Sequence, residues 1–192
     1  MSVSAFDNDR YLVRRQILRI FGQTLRIYDP AGSLALLVNM KGLRLREDIR
    51  VYTEEQRQNE VLTIKARSIL DISSAYDVWD GQGEKIGVLQ RRGLKSILRD
   101  EWVIMDAQEQ ERGRIREDSW LLATVRRFLT NLVPQKFHGE VGGQPVFLFR
   151  QQWNPFLFKM DLDFTPDTGR LLDRRLGLAA AVLLCTIEGR QR

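Results

Sequence analysis

The feature that most constrains this chain is its last apolar run, residues 171–187, LLDRRLGLAAAVLLCTI. Leu, Ala and Arg favour helix, and from Leu176 onward the run has no polar face. A helix that is apolar on every side must be buried, in a large core or in a membrane. The pattern predicts a helix near residues 168–188. Asp167 or Thr168 can cap it by accepting from free backbone N–H groups in its first turn, after Pro166 ends the preceding extended segment. Gly189 stands where helices commonly stop, and Arg190 and Arg192 suit the negative C-terminal end. The run would span roughly 26 Å at 1.5 Å per residue. Asp173, Arg174 and Arg175 interrupt it near its start, leaving residues 176–187, well short of the ~20 residues that a spanning helix needs. Length favours burial in the protein's own structure over a bilayer.

Most of what precedes this helix reads as short strands. Residues 11–13 and 16–21 begin the pattern. Residues 24–29, TLRIYD, alternate with Leu25 and Ile27 on one face, as a half-buried strand does. Residues 30–33, PAGS, signal a turn. Residues 34–38, 43–45 and 49–52 continue, and 61–67, VLTIKAR, set Leu62, Ile64 and Ala66 against Val61, Thr63, Lys65 and Arg67. The pattern then starts again. Ile27-Tyr28-Asp29, Gly32, Leu37-Val38 and Gly42-Leu43 return as Val78-Trp79-Asp80, Gly83, Val88-Leu89 and Gly93-Leu94, offset by 51. With one residue inserted later, Asp48 and Val51 then match Asp100 and Val103. A weaker third copy starts at Phe137, with its turn at 141–144, a strand at 146–149 and another at 153–162. Self-similarity at a fixed period marks a repeated unit. Here that unit is a strand, a turn in which Asp bonds backbone N–H groups and Gly takes positive φ, and further strands. The repeats fall near 24–67, 75–117 and 137–164 of a single domain spanning 1–192.

Residues 118–133, DSWLLATVRRFLTNLV, break the β pattern. Trp120, Leu121, Val125, Phe128, Leu129 and Leu132 form one helical stripe. Asp118 or Ser119 can cap it, and Pro134 follows it. With only Arg126 and Arg127 on its flank, this amphipathic helix reads as a cover for the β-structure ahead of a membrane-surface helix. The strands number ten to twelve. About eight close into a barrel that side chains alone can fill, and twelve leave a wider interior. A helix with its side chains is about 10 Å across, so the apolar C-terminal helix can plug such a barrel.

Chemistry is sparse. The single histidine, His138, rules out a site with two histidine ligands within one chain, and beside Gly139 it reads as a surface-loop residue. No G-x-S-x-G elbow or phosphate-binding glycine loop is present. Asp161 and Asp163 share a face of MDLDF and read as solvated carboxylates. Cys185, the single cysteine, excludes an intrachain disulfide and reads as a small buried hydrophobe. The opening residues, MSVSAFDNDR, lack the apolar core of a signal peptide, and a cytoplasmic protein is the expectation.

The chain is mildly basic, with a formal charge of +5. Two clusters follow the Gly turns of the first two repeats: Arg44, Arg46 and Arg50, and Arg91, Arg92, Lys95 and Arg99. Arg suits bidentate phosphate contact. Glu47, Asp48, Asp100 and Glu101 lie alongside and can instead pair with them. No nucleic-acid motif accompanies the basic residues.

Together these features resemble the LURP-one-related family, within the tubby C-terminal-like group that also includes phospholipid scramblases. The resemblance rests on Tyr28-Asp29…Gly32, Trp79-Asp80…Gly83, Leu62-Thr63-Ile64-Lys65-Ala66-Arg67 and Asp173-Arg174-Arg175-Leu176, and covers roughly residues 11–188. It implies a mainly β (α+β) fold: a closed antiparallel β-barrel of about twelve strands enclosing a central apolar C-terminal helix. One further amphipathic helix is expected at 118–133. Tubby-branch members bind phosphoinositide headgroups as membrane-associated regulators. The cysteine-rich segment, Pro-rich leader and acidic calcium-associated stretch of scramblases are not evident here, so scramblase activity is not carried over. The expectation is a non-enzymatic, cofactor-free module, cytoplasmic or peripheral at the membrane. It would bind a phospholipid headgroup or another anionic ligand on the barrel exterior through Arg44, Arg46, Arg50, Arg91, Arg92, Lys95 and Arg99. The alternatives are a protein-interaction scaffold and an enzyme acting on a small molecule at the barrel mouth, and specific nucleic-acid binding is not expected.

Overall fold

A computed structural model describes residues 4–16, 23–40, 48–67, 75–92, 101–117, 134–154 and 157–187. Twelve strands follow one another: β1 (Arg10–Gln16), β2 (Gln23–Tyr28), β3 (Leu34–Met40), β4 (Ile49–Tyr52), β5 (Glu60–Ala66), β6 (Ala75–Asp80), β7 (Lys85–Arg92), β8 (Glu101–Met105), β9 (Glu111–Glu117), β10 (Lys136–Val141), β11 (Gln144–Gln152) and β12 (Leu157–Asp163). One helix is described, α1 (Arg174–Ile187). Each strand pairs antiparallel with its sequence neighbours, and β1 also pairs with β12, so the sheet closes into a barrel without a free edge. Alternation along each strand sends one face to the core: Leu25, Ile27, Ile64, Val78, Phe149 and Leu162 are all buried.

The hairpins share one design. Asp29, Asp80 and Asp106 each accept backbone N–H bonds from their turn, at 2.8 Å from Ser33 and 2.9 Å from Glu84 and Gln110. Glu54 does the same for Asn59 at 2.8 Å. Three residues after each acid the backbone turns left-handed, at Gly32 (φ 82°), Arg57 (59°), Gly83 (84°) and Glu109 (63°). Each hairpin then shifts register by one residue just before its turn, as does β10–β11. These acids stand 25, 26 and 26 positions apart, so the offset of 51 contains two hairpins of similar length. The shift at Val51/Tyr52 corresponds to that at Ile104/Met105. Val51 is therefore the counterpart of Ile104, one position beyond the Val103 matched by sequence. Strands β10 to β12 cover the region of the expected third copy, and β1 completes the ring between β12 and β2.

The helix differs from its expected start. Asp167 accepts from Leu171 and Leu172 N–H at 2.7 and 3.1 Å in a turn before the helix, and Arg170 there is left-handed (φ 48°). Asp173 is the cap: its side chain accepts from Arg175 N–H at 2.9 Å, and its carbonyl from Gly177 N–H at 3.0 Å. The Asp167 turn holds residues 171–173 out of the helix. From Leu176 to Thr186 every residue is buried. A Cβ at Gly87 of β7 would lie 2.8 Å from Leu176, and one at Gly177 would lie 2.6 Å from Phe164. Phe164 packs edge-on to Phe147, Phe149 and Tyr11. At the other end of the helix, Cys185 Sγ lies 3.7 Å from Met160 Sδ of β12, and buried Arg15 of β1 donates to the Cys185 carbonyl at 3.2 Å. That cation meets the partial negative charge of a helix C-terminus. Among the described residues no helix is long and apolar enough to cross a membrane. The amphipathic helix expected at 118–133, the strand at 43–45, and Gly189, Arg190 and Arg192 lie outside the described residues, as does most of the strand expected at 16–21.

Candidate functional site

A closed antiparallel meander has two ends, and here the two differ in charge. One end gathers the tight turns, the N-terminal segment and the lead into α1. Residues 4–9, 29–33, 53–59, 81–84, 106–110 and 164–173 carry ten Asp and Glu against two Arg. The other end receives the last residues of β1, β3, β5, β7, β9 and β11. It also receives the end of α1, since the helix starts beside Asp9 and Asp80 and finishes beside Arg15 and Met160. Of the chain's 30 Lys and Arg and 25 Asp and Glu, the described residues hold 20 of each. The net +5 therefore belongs to the remaining segments, with ten cations against five anions. Each charged one follows a strand or the helix at this second end.

Three of the seven candidate cations are described, all at this end. Arg50 is the second residue of β4, and Arg91 and Arg92 close β7. Arg44, Arg46, Lys95 and Arg99 lie outside the described residues. Arg50 pairs with Glu60 at 2.8 Å, which raises its pKa and fixes its charge. Sequence proximity pointed to Asp48, but Asp48 lies 4.0 Å from Lys65, and the β4–β5 pairing delivers Glu60 instead. Arg92 pairs with Glu111 at 2.9 Å and Glu101 at 3.9 Å. Exposed pairs of this type add little stability, and salt screens them.

Around β5 to β10 the outer face is a lattice of opposite charges. Arg67 binds Asp77 and Glu109, and Lys85 binds the same two carboxylates, at 2.6 to 2.9 Å. Hydrogen bonds from Arg67 and Lys85 hold the Glu109 carboxyl down at about 2. Arg114 and Arg116 share Glu101, and Arg116 reaches Glu140 at 3.2 Å. An open groove of about 360 Å³ lies here, between Arg112, Arg114, Glu111 and Glu140. Arg112 is bound to Asp106 and Arg114 to Glu111, each at 2.7 Å.

Several other titratable groups have structural duties. His138 lies on strand β10, exposed, and not in the loop that its neighbour Gly139 implied. Gly139 is there because Phe147 fills the place of a side chain, with ring atoms 2.3 Å from where a Cβ would sit. Asp161 accepts both bonds from the Gln152 amide, and Asp163 accepts from Thr165 and lies 3.6 Å from Arg10. Asp173 is held by Arg175 at 2.7 Å. Burial pushes the Cys185 thiol up to about 12, as expected for a small apolar core residue. Among the described residues no three His, Cys, Asp or Glu side chains converge on a metal position.

The Asp173-Arg174-Arg175 sequence at the helix start is a clamp. Arg174 pairs with Asp9 at 2.8 Å and lies 4.2 Å over the Phe164 ring. Arg175 pairs with Asp173 and, at 3.1 Å, with Asp80 of the second repeat's turn. Turn, barrel and helix start are thereby tied together. The model of the LURP-one-related family matches residues 34–168, from β3 to the turn before the helix. The chain belongs to the LURP-one-related family. No curated protein and no solved structure matches it. In this LURP-one-related chain the clamp and α1 lie beyond the matched region, as do β1 and β2.

Proposed function

We propose that this LURP-one-related protein is a non-enzymatic binding module that recognises an anionic ligand, a phospholipid headgroup, at the basic end of its barrel. The observation that carries this reading is the separation of charge: a barrel balanced at 20 cations and 20 anions, with the whole excess of +5 in the segments that follow strands and helix at one end. A surface of one sign concentrates ligands of the other and speeds their approach. Arg44, Arg46, Arg50, Arg91, Arg92, Lys95 and Arg99 contribute to that end, and Arg forks match phosphate oxygens in pairs.

In the same proposal, α1 runs through the barrel interior. Its contacts support this: Leu176 meets Gly87 of β7, and Cys185 meets Met160 of β12 and Arg15 of β1, strands on opposite sides of the ring. A filled interior leaves the outer surface and the strand ends for binding. The substitution of Arg44, Arg46, Lys95 and Arg99 by Gln tests the reading. Partition onto phosphatidylserine-containing vesicles should fall by about 100-fold or more, since each basic residue near such a surface is worth about 1 kcal/mol. Undiminished partition would remove these residues from the site.

A further inference from the structure

The outer face of β10, β11, β12 and β1 breaks the lattice of paired charges seen elsewhere. Lys136 stands directly across from Arg150, and Lys159 directly across from Arg14. Lys159 also faces Gln152, while Arg150 faces Asp161, whose carboxylate is taken by the Gln152 amide. Lys136, Arg150 and Arg14 are exposed and Lys159 is half-buried. Among the described residues none of the four makes an ion pair. Arg14 instead lies 4.8 Å over the Tyr28 ring. Like charges opposite one another weaken a sheet, so folding gives no reason for this arrangement.

An exposed aromatic side chain accompanies them. Trp153 follows β11 directly at the basic end and is 58% exposed. Tryptophan carries an apolar body with a polar N–H and favours the boundary between lipid and water. All five residues lie within three positions of the strand ends at the basic end.

We infer that Arg14, Lys136, Arg150, Lys159 and Trp153 form a docking face for an anionic bilayer, on which the barrel sits basic end down with Trp153 at the headgroup level. The inference rests on the anion-binding reading of that end and names the surface that makes the contact. Cations alone would serve any polyanion, but a solvent-exposed indole among them fits a surface with an apolar layer beneath its charges. The acidic turns at the opposite end orient the molecule in the same sense, since a negative membrane repels them.

The test is partition of the full chain onto phosphatidylcholine vesicles that contain phosphatidylserine, at low salt. Two triple variants are compared, each lowering the net charge equally. Lys136→Gln, Arg150→Gln and Lys159→Gln remove the docking face, whereas Arg57→Gln, Arg112→Gln and Arg170→Gln remove cations from the turn end. With each charge worth about fivefold in partition, the first variant should bind about 100-fold more weakly and the second like the parent. Lipids brominated in the upper acyl chain should quench Trp153, read as the difference between the parent and Trp153→Phe. If the parent binds anionic vesicles but the two triple variants bind alike, or Trp153 is not quenched, the docking face is wrong while the anion-binding reading stands. If the parent binds a soluble polyanion such as heparin yet not the vesicles, the bilayer is the wrong partner. If it binds neither, both readings fall.

Discussion

Arg57 and Glu109 hold a left-handed backbone that costs a residue with a side chain about 1–2 kcal/mol relative to glycine. Arg57 makes no ion pair among the described residues, so Arg57→Gly should raise the melting temperature, with a gain of up to about 1 kcal/mol after the greater freedom of unfolded glycine is counted. The reverse change, Gly83→Ala, should lower stability by about 1 kcal/mol. Thermal unfolding of the two variants checks both signs. Glu109 answers to pH as well. Its carboxyl is held at about 2 in the folded protein against 4.5 ordinarily, through its bonds to Arg67 and Lys85. The stability it provides is complete above about pH 4.5 and disappears as pH falls toward about 2. Glu109→Gln should flatten that part of the stability profile in a denaturant titration repeated across pH. These positions also explain what could be read from sequence. The turns at Asp29–Gly32 and Asp80–Gly83 announce themselves because acid and glycine are both present. Those at 54–57 and 106–109 use the same geometry with Arg and Glu in the glycine's place, which hides the shorter period.

At the scale of the element, α1 was legible because an apolar run with no polar face has few places to go. Its start was not, because two aspartates six residues apart can each cap a helix and only packing decides between them. Asp173 wins since Arg175 can then bridge it to Asp80. Arg15 was missed for a similar reason: nothing local marks an arginine in RYLVRRQ as the one that faces inward to meet a helix end. Two substitutions examine the packing. Gly87→Val would drive a side chain into Leu176 and the Met105 carbonyl, and should cost about 1–3 kcal/mol. Ala180→Arg places a charge where the helix is 2% exposed, and should cost at least about 3–5 kcal/mol, enough to prevent folding. A soluble Ala180→Arg protein with a cooperative thermal transition would contradict burial of α1 in the core.

For the whole molecule, the barrel closes because β1 pairs with β12, so the two ends of the barrel sequence meet at that seam. Sequence periodicity could show the copies but not this circular completion, which depends on pairing between residues about 150 positions apart. Charge followed the same course. The overall +5 and the two Arg clusters were visible, whereas the gathering of acidic turns at one end, opposite Arg50, Arg91 and Arg92, appears only once alternate connections are assigned to opposite ends. The Lys136–Arg150 and Lys159–Arg14 neighbours were invisible for the same reason, since register alone brings them together. The most direct measurement is co-sedimentation of the full chain with neutral and with anionic phospholipid vesicles, at low and at high salt. Binding to anionic vesicles only, lost as salt screens the contact, is the expected result. Equal behaviour toward the two vesicle types at low salt would contradict the anion-binding role assigned to the basic end.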